Sequence, residues 1–284
     1  MKDTSFWVKR TWNFKGILRE FDHPLVMGIL NITPDSFYAT SRIASDNALL
    51  GAAEKMIRDG AALLDIGAYS SRSGAEHISE DEELKRLLPA VEKLVQHFPE
   101  MILSLDTFRA RVANEGLHAG AHVVNDISGG QADENMFHVA ANHQAGYIMM
   151  HMKGTPQTMQ NEVQYNDLTE EICSFFNAQM EKARQAGLKE IILDPGFGFS
   201  KTREQNFELL KKLDVLLDFG CPVLAGVSRK SMIYKTLGLT PEESLNGTSV
   251  LNTVALLQGA SILRVHDVKE AGEAIRLLNE MKKK

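Results

Sequence analysis

Nine residues able to do chemistry recur at one kind of place. Asn31, Asp65, Asp106, Asn125, His151, Asp194, Lys230, Arg264 and His266 each stand at or just past the end of a short apolar run. Singly, each has a plain alternative. Asp and Asn favour turns, Asp194-Pro195 is a common turn opener, and a lone His is more often a structural hydrogen-bonder. Jointly they form a pattern, because independent turn preferences need not all fall on one rim.

The set divides by chemistry. Asp106, Asn125, Asp194 and Lys230 lack the three-His or two-Cys spacing of a zinc site. They suit a flat heterocycle with an amidine-like edge: a carboxylate accepts two parallel N–H bonds, while Asn and Lys answer ring nitrogens and a carbonyl. Arg264, His266, Asn31 and Arg72 combine cations with a neutral oxygen ligand, which suits a phosphate group accompanied by Mg²⁺. An ion pair from Arg264 to Asp267 or Glu270 is the structural alternative to that second role.

The elements that must carry these residues follow from the apolar runs. The run at 26–30 is too short for a buried helix and right for a buried strand, and Pro34 prevents its ladder from continuing. Similar runs occupy 62–66, 102–105, 122–124, 147–150, 190–193, 222–227 and 261–265. Helix-length intervals separate them, as parallel pairing requires. Asp46 can cap the first helix, and Ser79 with Glu82 and Asp267 with Glu270 can form capping boxes. Eight such units predict an α/β fold, a single (β/α)8 barrel spanning residues 1–284. An open eight-stranded sheet would need a switch point, favoured by a Gly-rich loop after the first strand, and NITPDSF has none. Residues 1–22 are expected to hold a β-hairpin that turns at Lys15-Gly16 and caps the bottom of the barrel. The loops at 33–42 and 67–76 are long and polar, and read as lids that exclude water.

Composition narrows the class. A 284-residue chain that is 44% hydrophobic can bury a large core. Its net charge of −6 argues against a nucleic-acid partner, so any anionic ligand must be held by local clusters. The two cysteines, Cys173 and Cys221, read as small buried hydrophobes in a reducing compartment. No apolar run approaches the roughly 20 residues of a membrane span, and the amino terminus has no secretory h-region. A cytoplasmic location is expected.

At this point the motifs NITPDSF, SRSGAE, SLDTFR, NDISGG, MMHMKGTPQTMQ, DPGFGFSKT, GVSRKS and RVHDV, in that order at successive strand ends, resemble those of the dihydropteroate synthase family. The resemblance covers about residues 24–280. It implies a TIM-barrel transferase of folate biosynthesis, a sulfonamide target. The implied reaction joins 6-hydroxymethyl-7,8-dihydropterin diphosphate to 4-aminobenzoate, with diphosphate leaving first. It further implies that Asp106, Asn125, Met150, Asp194, Phe199 and Lys230 bind the pterin, and that Asn31, Arg72, Arg264 and His266 meet the diphosphate. Asn31 would ligate Mg²⁺. Phe37, Ser71, Arg72 and Ser228 would shape the aminobenzoate site, and Asp35 would steady the cation, acting beside Lys230, Arg264 and His266 as the catalytic set. The family is commonly homodimeric.

Two stretches depart from the family pattern. Residues 68–74 read Ala-Tyr-Ser-Ser-Arg-Ser-Gly where Gly-Glu-Ser-Thr-Arg-Pro-Gly is usual, and Phe37-Tyr38-Ala39-Thr40-Ser41-Arg42 stands where Ser-Asp-Gly-Gly is common. Two rival functions share the pterin-reading acids: a non-catalytic pterin-binding paralogue, and a methyltetrahydrofolate–corrinoid methyltransferase. The second has no use for a diphosphate clamp, so the sets Ser228-Arg229-Lys230 and Arg264-Val265-His266 count against it.

Overall fold

The computed structural model describes residues 10–32, 42–70 and 77–281, so most of both expected lids lies outside the described residues. A two-stranded hairpin opens the chain, β1 (Arg10–Phe14) pairing antiparallel with β2 (Ile17–Phe21). Lys15 and Gly16 between them both have positive φ, 52° and 82°, as a two-residue turn matched to strand twist requires.

Eight parallel strands follow: β3 (Leu25–Asn31), β4 (Leu63–Gly67), β5 (Ile102–Asp106), β6 (Val123–Asp126), β7 (Gly146–Met150), β8 (Ile191–Asp194), β9 (Leu224–Ala225) and β10 (Ile262–Val265). They pair in the order β8-β7-β6-β5-β4-β3-β10-β9. A parallel bridge between Leu193 and Val223 brings β8 to β9 and closes the ring. Around it lie α1 (Arg42–Arg58), α2 (Glu80–His97), α3 (Ala110–His118), α4 (Met136–Asn142), α5 (Leu168–Gln185), α6 (Arg203–Lys211), α7 (Ser231–Leu237), α8 (Leu245–Leu257) and α9 (Val268–Glu280). Among the described residues no helix is long and apolar enough to cross a membrane.

Strands buried on both faces read as continuous apolar runs, and here the two faces separate cleanly. Leu25, Met27, Leu63, Ile102, Val123, Ile148, Ile192, Leu224 and Ile262 fill the bottom of the barrel interior. Trp12 and Phe14 of the hairpin join that cluster, so the hairpin is the expected cap. Gly146 leaves room for it, since a Cβ there would lie 2.5 Å from the Phe14 ring. The alternate residues, among them Val26, Leu64, Leu103 and Val124, pack outward against the helices. Side chains alternate with period two along a strand. Stepping upward by twos from the bottom layer therefore sets Asp65, Ser104, Asp106, Asn125, Met150, Asp194 and Arg264 on the inside.

Some boundaries differ from expectation. Asp106, Asn125 and Asp194 are ladder residues rather than loop residues: Asp106 pairs with Asn125, and Met150 with Asp194. The strand expected over 222–227 shrinks to two residues, Leu224–Ala225; at its start Pro222 has no N–H for the ladder and offers only its carbonyl, which Leu193 N takes at 2.9 Å. Asp46 lies inside α1, a turn past its start, and its carboxylate pairs with Lys93 of α2. Ser79 caps α2 through Glu82 N (3.2 Å), but the Glu82 carboxylate turns to Arg86.

Candidate active site

The inward residues of β4, β5, β6, β8 and β10 meet at the carboxyl end of the barrel. Asp65 on β4 is fully buried, and its Oδ2 accepts from Asn125 Nδ2 (2.9 Å) and from Arg264 Nε (2.6 Å). Arg264 Nη2 donates to Asp106 Oδ2 (2.8 Å). The guanidinium thus bridges two carboxylates. Gly67 permits this approach, since a Cβ there would come within 3.3 Å of the Asp106 side chain. Burial works against the Arg264 cation, but Asp65 and Asp106 more than offset it, and its pKa stands above the ordinary guanidinium value.

Asp194 and Lys230 form the opposite wall. Asp194 Oδ1 accepts from Gly196 N (2.8 Å), and its carboxyl is raised above the usual range by burial, against the pull of Lys230. The Lys230 ammonium donates to the Phe197 carbonyl and sits 4.8 Å from the centre of the Phe199 ring. Burial lowers Lys230 to about 8, opposed by Asp194, while Arg264 lowers it further. Burial also pushes Asp106 up to about 7, with Arg264 opposing and Asp65 adding to the rise. Two buried acids with raised pKa values and a base with a lowered one in one concave site are what a functional pocket produces. A small apolar cluster of Ile127, Met150, Met152 and Met159, with Phe108 and Phe199 packed against it, supplies a face on which a planar ring could lie.

The second group is only partly as expected. Ser228 Oγ accepts from His266 N (3.2 Å) and lies 3.0 Å from His266 Nδ1. Asn31 ends β3, paired in register with Gly67. The ion pair from Arg264 to Asp267 or Glu270 is overturned: Asp267 is held by Arg229 through Nη2 (2.7 Å) and Nε (2.9 Å). The same pairing removes the Asp267–Glu270 capping box, for Asp267 makes no side-chain cap. Arg229 also leaves the clamp. Its backbone is left-handed (φ 53°), its guanidinium reaches the carbonyls of Pro241 and Glu242, and Lys230 beside it turns into the barrel. Asp35, Phe37, Ser71 and Arg72 lie outside the described residues.

A profile described as "Pterin binding enzyme" matches residues 27–266. The chain belongs to the pterin-binding enzyme family. Within that family it is 43% identical over 278 residues to a dihydropteroate synthase of Synechocystis sp., covering 97% of this chain and 91% of the relative. It is 41% identical over 269 residues to the Escherichia coli dihydropteroate synthase, covering 93% and 94%. The Yersinia pestis dihydropteroate synthase, solved in a sulfonamide drug complex, superposes with a TM-score of 0.89 at 40% identity, covering 96% of this chain and 99% of that one. The Xanthomonas albilineans enzyme, solved with 4-aminobenzoic acid, superposes with a TM-score of 0.90 at 33% identity, covering 98% and 100%.

One member of the site is not assigned by the sequence. Asp65 falls on the rim with no ligand or partner implied, yet it holds both Arg264 and Asn125. The signal was present in Leu63-Leu64-Asp65, where the carboxylate falls two residues above an interior leucine. Asp65 Oδ1 and the Ser104 Oγ, neighbours in the β4–β5 register, are both buried with no hydrogen-bond partner. His151 and Asp126, also strand-end polar residues, point the other way. Asp126 is fixed by Tyr147, Ser128 and Gly130 and organises its own turn.

Proposed function

We propose that this chain is a transferase of folate biosynthesis that joins 6-hydroxymethyl-7,8-dihydropterin diphosphate to 4-aminobenzoate, yielding 7,8-dihydropteroate and diphosphate. The observation that carries this reading is the convergence of Asp106, Asn125, Asp194 and Lys230 around the Arg264 guanidinium, in a chain whose relatives are dihydropteroate synthases along nearly their whole length.

In this reading the carboxylates of Asp106 and Asp194 and the amide of Asn125 accept and donate along the polar edge of the pterin. Lys230 donates to a ring acceptor, and Met150 and Phe199 cover its face. Two of the Arg264 nitrogens are committed to carboxylates, so Nη1 is assigned to the leaving diphosphate together with His266. Developing negative charge on a leaving group is best met by cations already fixed in place, and the two carboxylates fix Arg264. Diphosphate departs first and the arylamine then captures the pterin methylene cation, so neither Ser228 nor Ser71 acts as a nucleophile. Asp35 is assigned to steady that cation, and Phe37, Ser71, Arg72 and Ser228 to shape the aminobenzoate site. For Asp35, Phe37, Ser71 and Arg72 the family motifs alone support this.

A divalent ion fits the donor set in one way. Among the described residues no group of three or more His, Cys, Asp or Glu could hold a metal. Asn31 would be the protein ligand, with diphosphate oxygens and water completing the shell, an arrangement that suits Mg²⁺. When bound, the ion neutralises charge on the diphosphate as a Lewis acid.

We also propose that the chain acts as a homodimer. Leu237 and Leu239 at the end of α7, Val250 and Leu257 on α8, and Leu277 and Met281 at α9 are large apolar residues left exposed on consecutive helices. Exposed apolar side chains gathered on neighbouring helices support an interface there, and a second copy of the same face is the simplest occupant.

The test of the reaction is diphosphate release by the purified protein given Mg²⁺ and the dihydropterin diphosphate, with and without 4-aminobenzoate. Dihydropteroate formed only when aminobenzoate is present is the expected result. Tight pterin binding without turnover would overturn it in favour of a binding paralogue.

A further inference from the structure

Behind the pterin-facing wall lies a buried basic pair that the reaction does not use. Lys201, in the loop between β8 and α6, is 6% exposed, and His151, just past β7, is 2% exposed. The Lys201 ammonium lies 3.1 Å from the Gly196 carbonyl, 3.1 Å from the Phe199 carbonyl and 3.1 Å from His151 Nδ1, with the His151 carbonyl at 3.5 Å. An ammonium has three protons to donate, and three of these four acceptors stand at 3.1 Å. The backbone is shaped to make this cage. Gly196 (φ 72°), Gly198 (φ 81°) and Ser200 (φ 46°) are all left-handed, so that the Gly196 and Phe199 carbonyls converge on one point. Ser200 is a non-glycine in that region, and it is held there by Tyr165, whose hydroxyl donates to its carbonyl (3.0 Å), and by Lys153 N, which donates to its Oγ (2.9 Å).

The same residues reach the pterin-facing wall by two short routes. Gly196 donates its N–H to Asp194 Oδ1 and gives its carbonyl to Lys201, so one residue joins the cage to the carboxylate. Phe199 gives its carbonyl to Lys201 and its ring to Lys230. Past the cage the chain enters α6 through a reciprocal capping box between Thr202 and Gln205, which anchors the loop's far end. Burial shifts the ionisation of both members of the pair. His151 is driven down to about 2 by burial first and then by Lys201 and Lys153, which leaves Nδ1 an acceptor. Lys201 is brought to about 7 by burial, with Asp194 opposing and Lys230 and Lys153 adding to the fall.

We propose that Lys201 is a positioning residue for the pterin site: its caged ammonium sets the loop that aims Asp194 and seats Phe199 and the Phe197 carbonyl against Lys230. This rests on the assignment of Asp194, Phe199 and Lys230 to the pterin. A residue that only held the fold together would lower the amount of active protein without altering either KM. A residue that shapes one wall of the pocket changes the affinity for what binds that wall.

Lys201→Met keeps an unbranched stem of similar length and removes all three donors. The expected result is a rise of about ten-fold in KM for the dihydropterin diphosphate, the effect of one hydrogen bond to a charged group, with KM for 4-aminobenzoate within about two-fold of wild type. Binding of a pterin lacking the diphosphate, followed by calorimetry, falls by a similar factor. Should that variant prove insoluble, His151→Phe removes one acceptor of the cage while filling the space beside Tyr165 and Phe175, and is expected to raise the pterin KM about three-fold. An unchanged pterin KM in a soluble variant, or an equal rise for both substrates, overturns the proposal. Absence of turnover in the wild-type protein would instead strike the functional reading on which the proposal rests.

Discussion

Asp65→Asn separates charge from shape at the centre of the site. Both hydrogen bonds that Asp65 receives, from Arg264 Nε at 2.6 Å and from Asn125 Nδ2 at 2.9 Å, fall on the same oxygen, Oδ2, while Oδ1 has no partner. An asparagine can place its amide oxygen where Oδ2 stands and its NH₂ where Oδ1 stands. Both bonds and the side-chain volume are then kept, and only the negative charge is lost. Hydrogen bonds to charged groups contribute about 1.5–3 kcal/mol; the Arg264 donor keeps its charge while the acceptor loses its own, so the hold on Arg264 weakens by part of that, about 1 kcal/mol. Asp106 retains its own bond to Nη2, so the guanidinium stays in the pocket. The expected consequence is a several-fold rise in KM for the dihydropterin diphosphate. Thermal stability should change little, because the lost ion-pair attraction is offset by the desolvation cost that a buried carboxylate no longer carries. A second effect has a definite sign. The Asp65 charge helps to push Asp106 up to about 7, so removing it moves the acid limb of the pterin kcat/KM profile to lower pH. Steady-state kinetics from pH 5.5 to 9, with a thermal melt as a control, measure all of this. An unaltered KM together with an unmoved acid limb would refute the view that Asp65 acts through Arg264 and Asp106.

Wild-type kcat/KM for the pterin diphosphate should be bell-shaped. It rises as Asp106 loses its proton near pH 7 and falls as Lys230 loses its own near pH 8, and a plateau from pH 6 to 9 would dismiss both groups as pterin ligands. Lys230→Ala is expected to abolish measurable pterin binding while circular dichroism shows the barrel intact; loss of the fold would make Lys230 structural. Arg264→Ala removes the cation between Asp65 and Asp106, at a cost of about 3–5 kcal/mol of stability visible in a melt. It should weaken the diphosphate substrate far more than a pterin without diphosphate, and equal losses would sink the clamp. Val250→Asp, on the exposed face of α8, should convert a sedimenting dimer to monomer; a monomeric wild-type protein would refute the pairing.

The amino-acid sequence by itself determined the barrel and most of its rim. Eight apolar runs at helix-length spacing leave few other ways to bury strands on both faces, and the period of two puts every second residue on one side. Asp106 above Ser104 and Ile102, or Asp194 above Ile192, can be read as interior by counting alone. The hairpin turn at Lys15-Gly16 was equally legible, because its geometry is local.

Which polar groups pair was settled only by tertiary structure. Arg264 meets Asp65 and Asp106 across 199 and 158 residues of chain, and no local spacing encodes that. Its nearer acidic neighbour, Asp267, is taken by Arg229, whose left-handed backbone turns it away from Lys230. Capping boxes are written in short spacings, yet Asp267 gave up its cap once a bidentate guanidinium was within reach. The cage around Lys201 lay furthest from view. It is built from backbone carbonyls, which every residue possesses, so only their convergence in the folded loop distinguishes them.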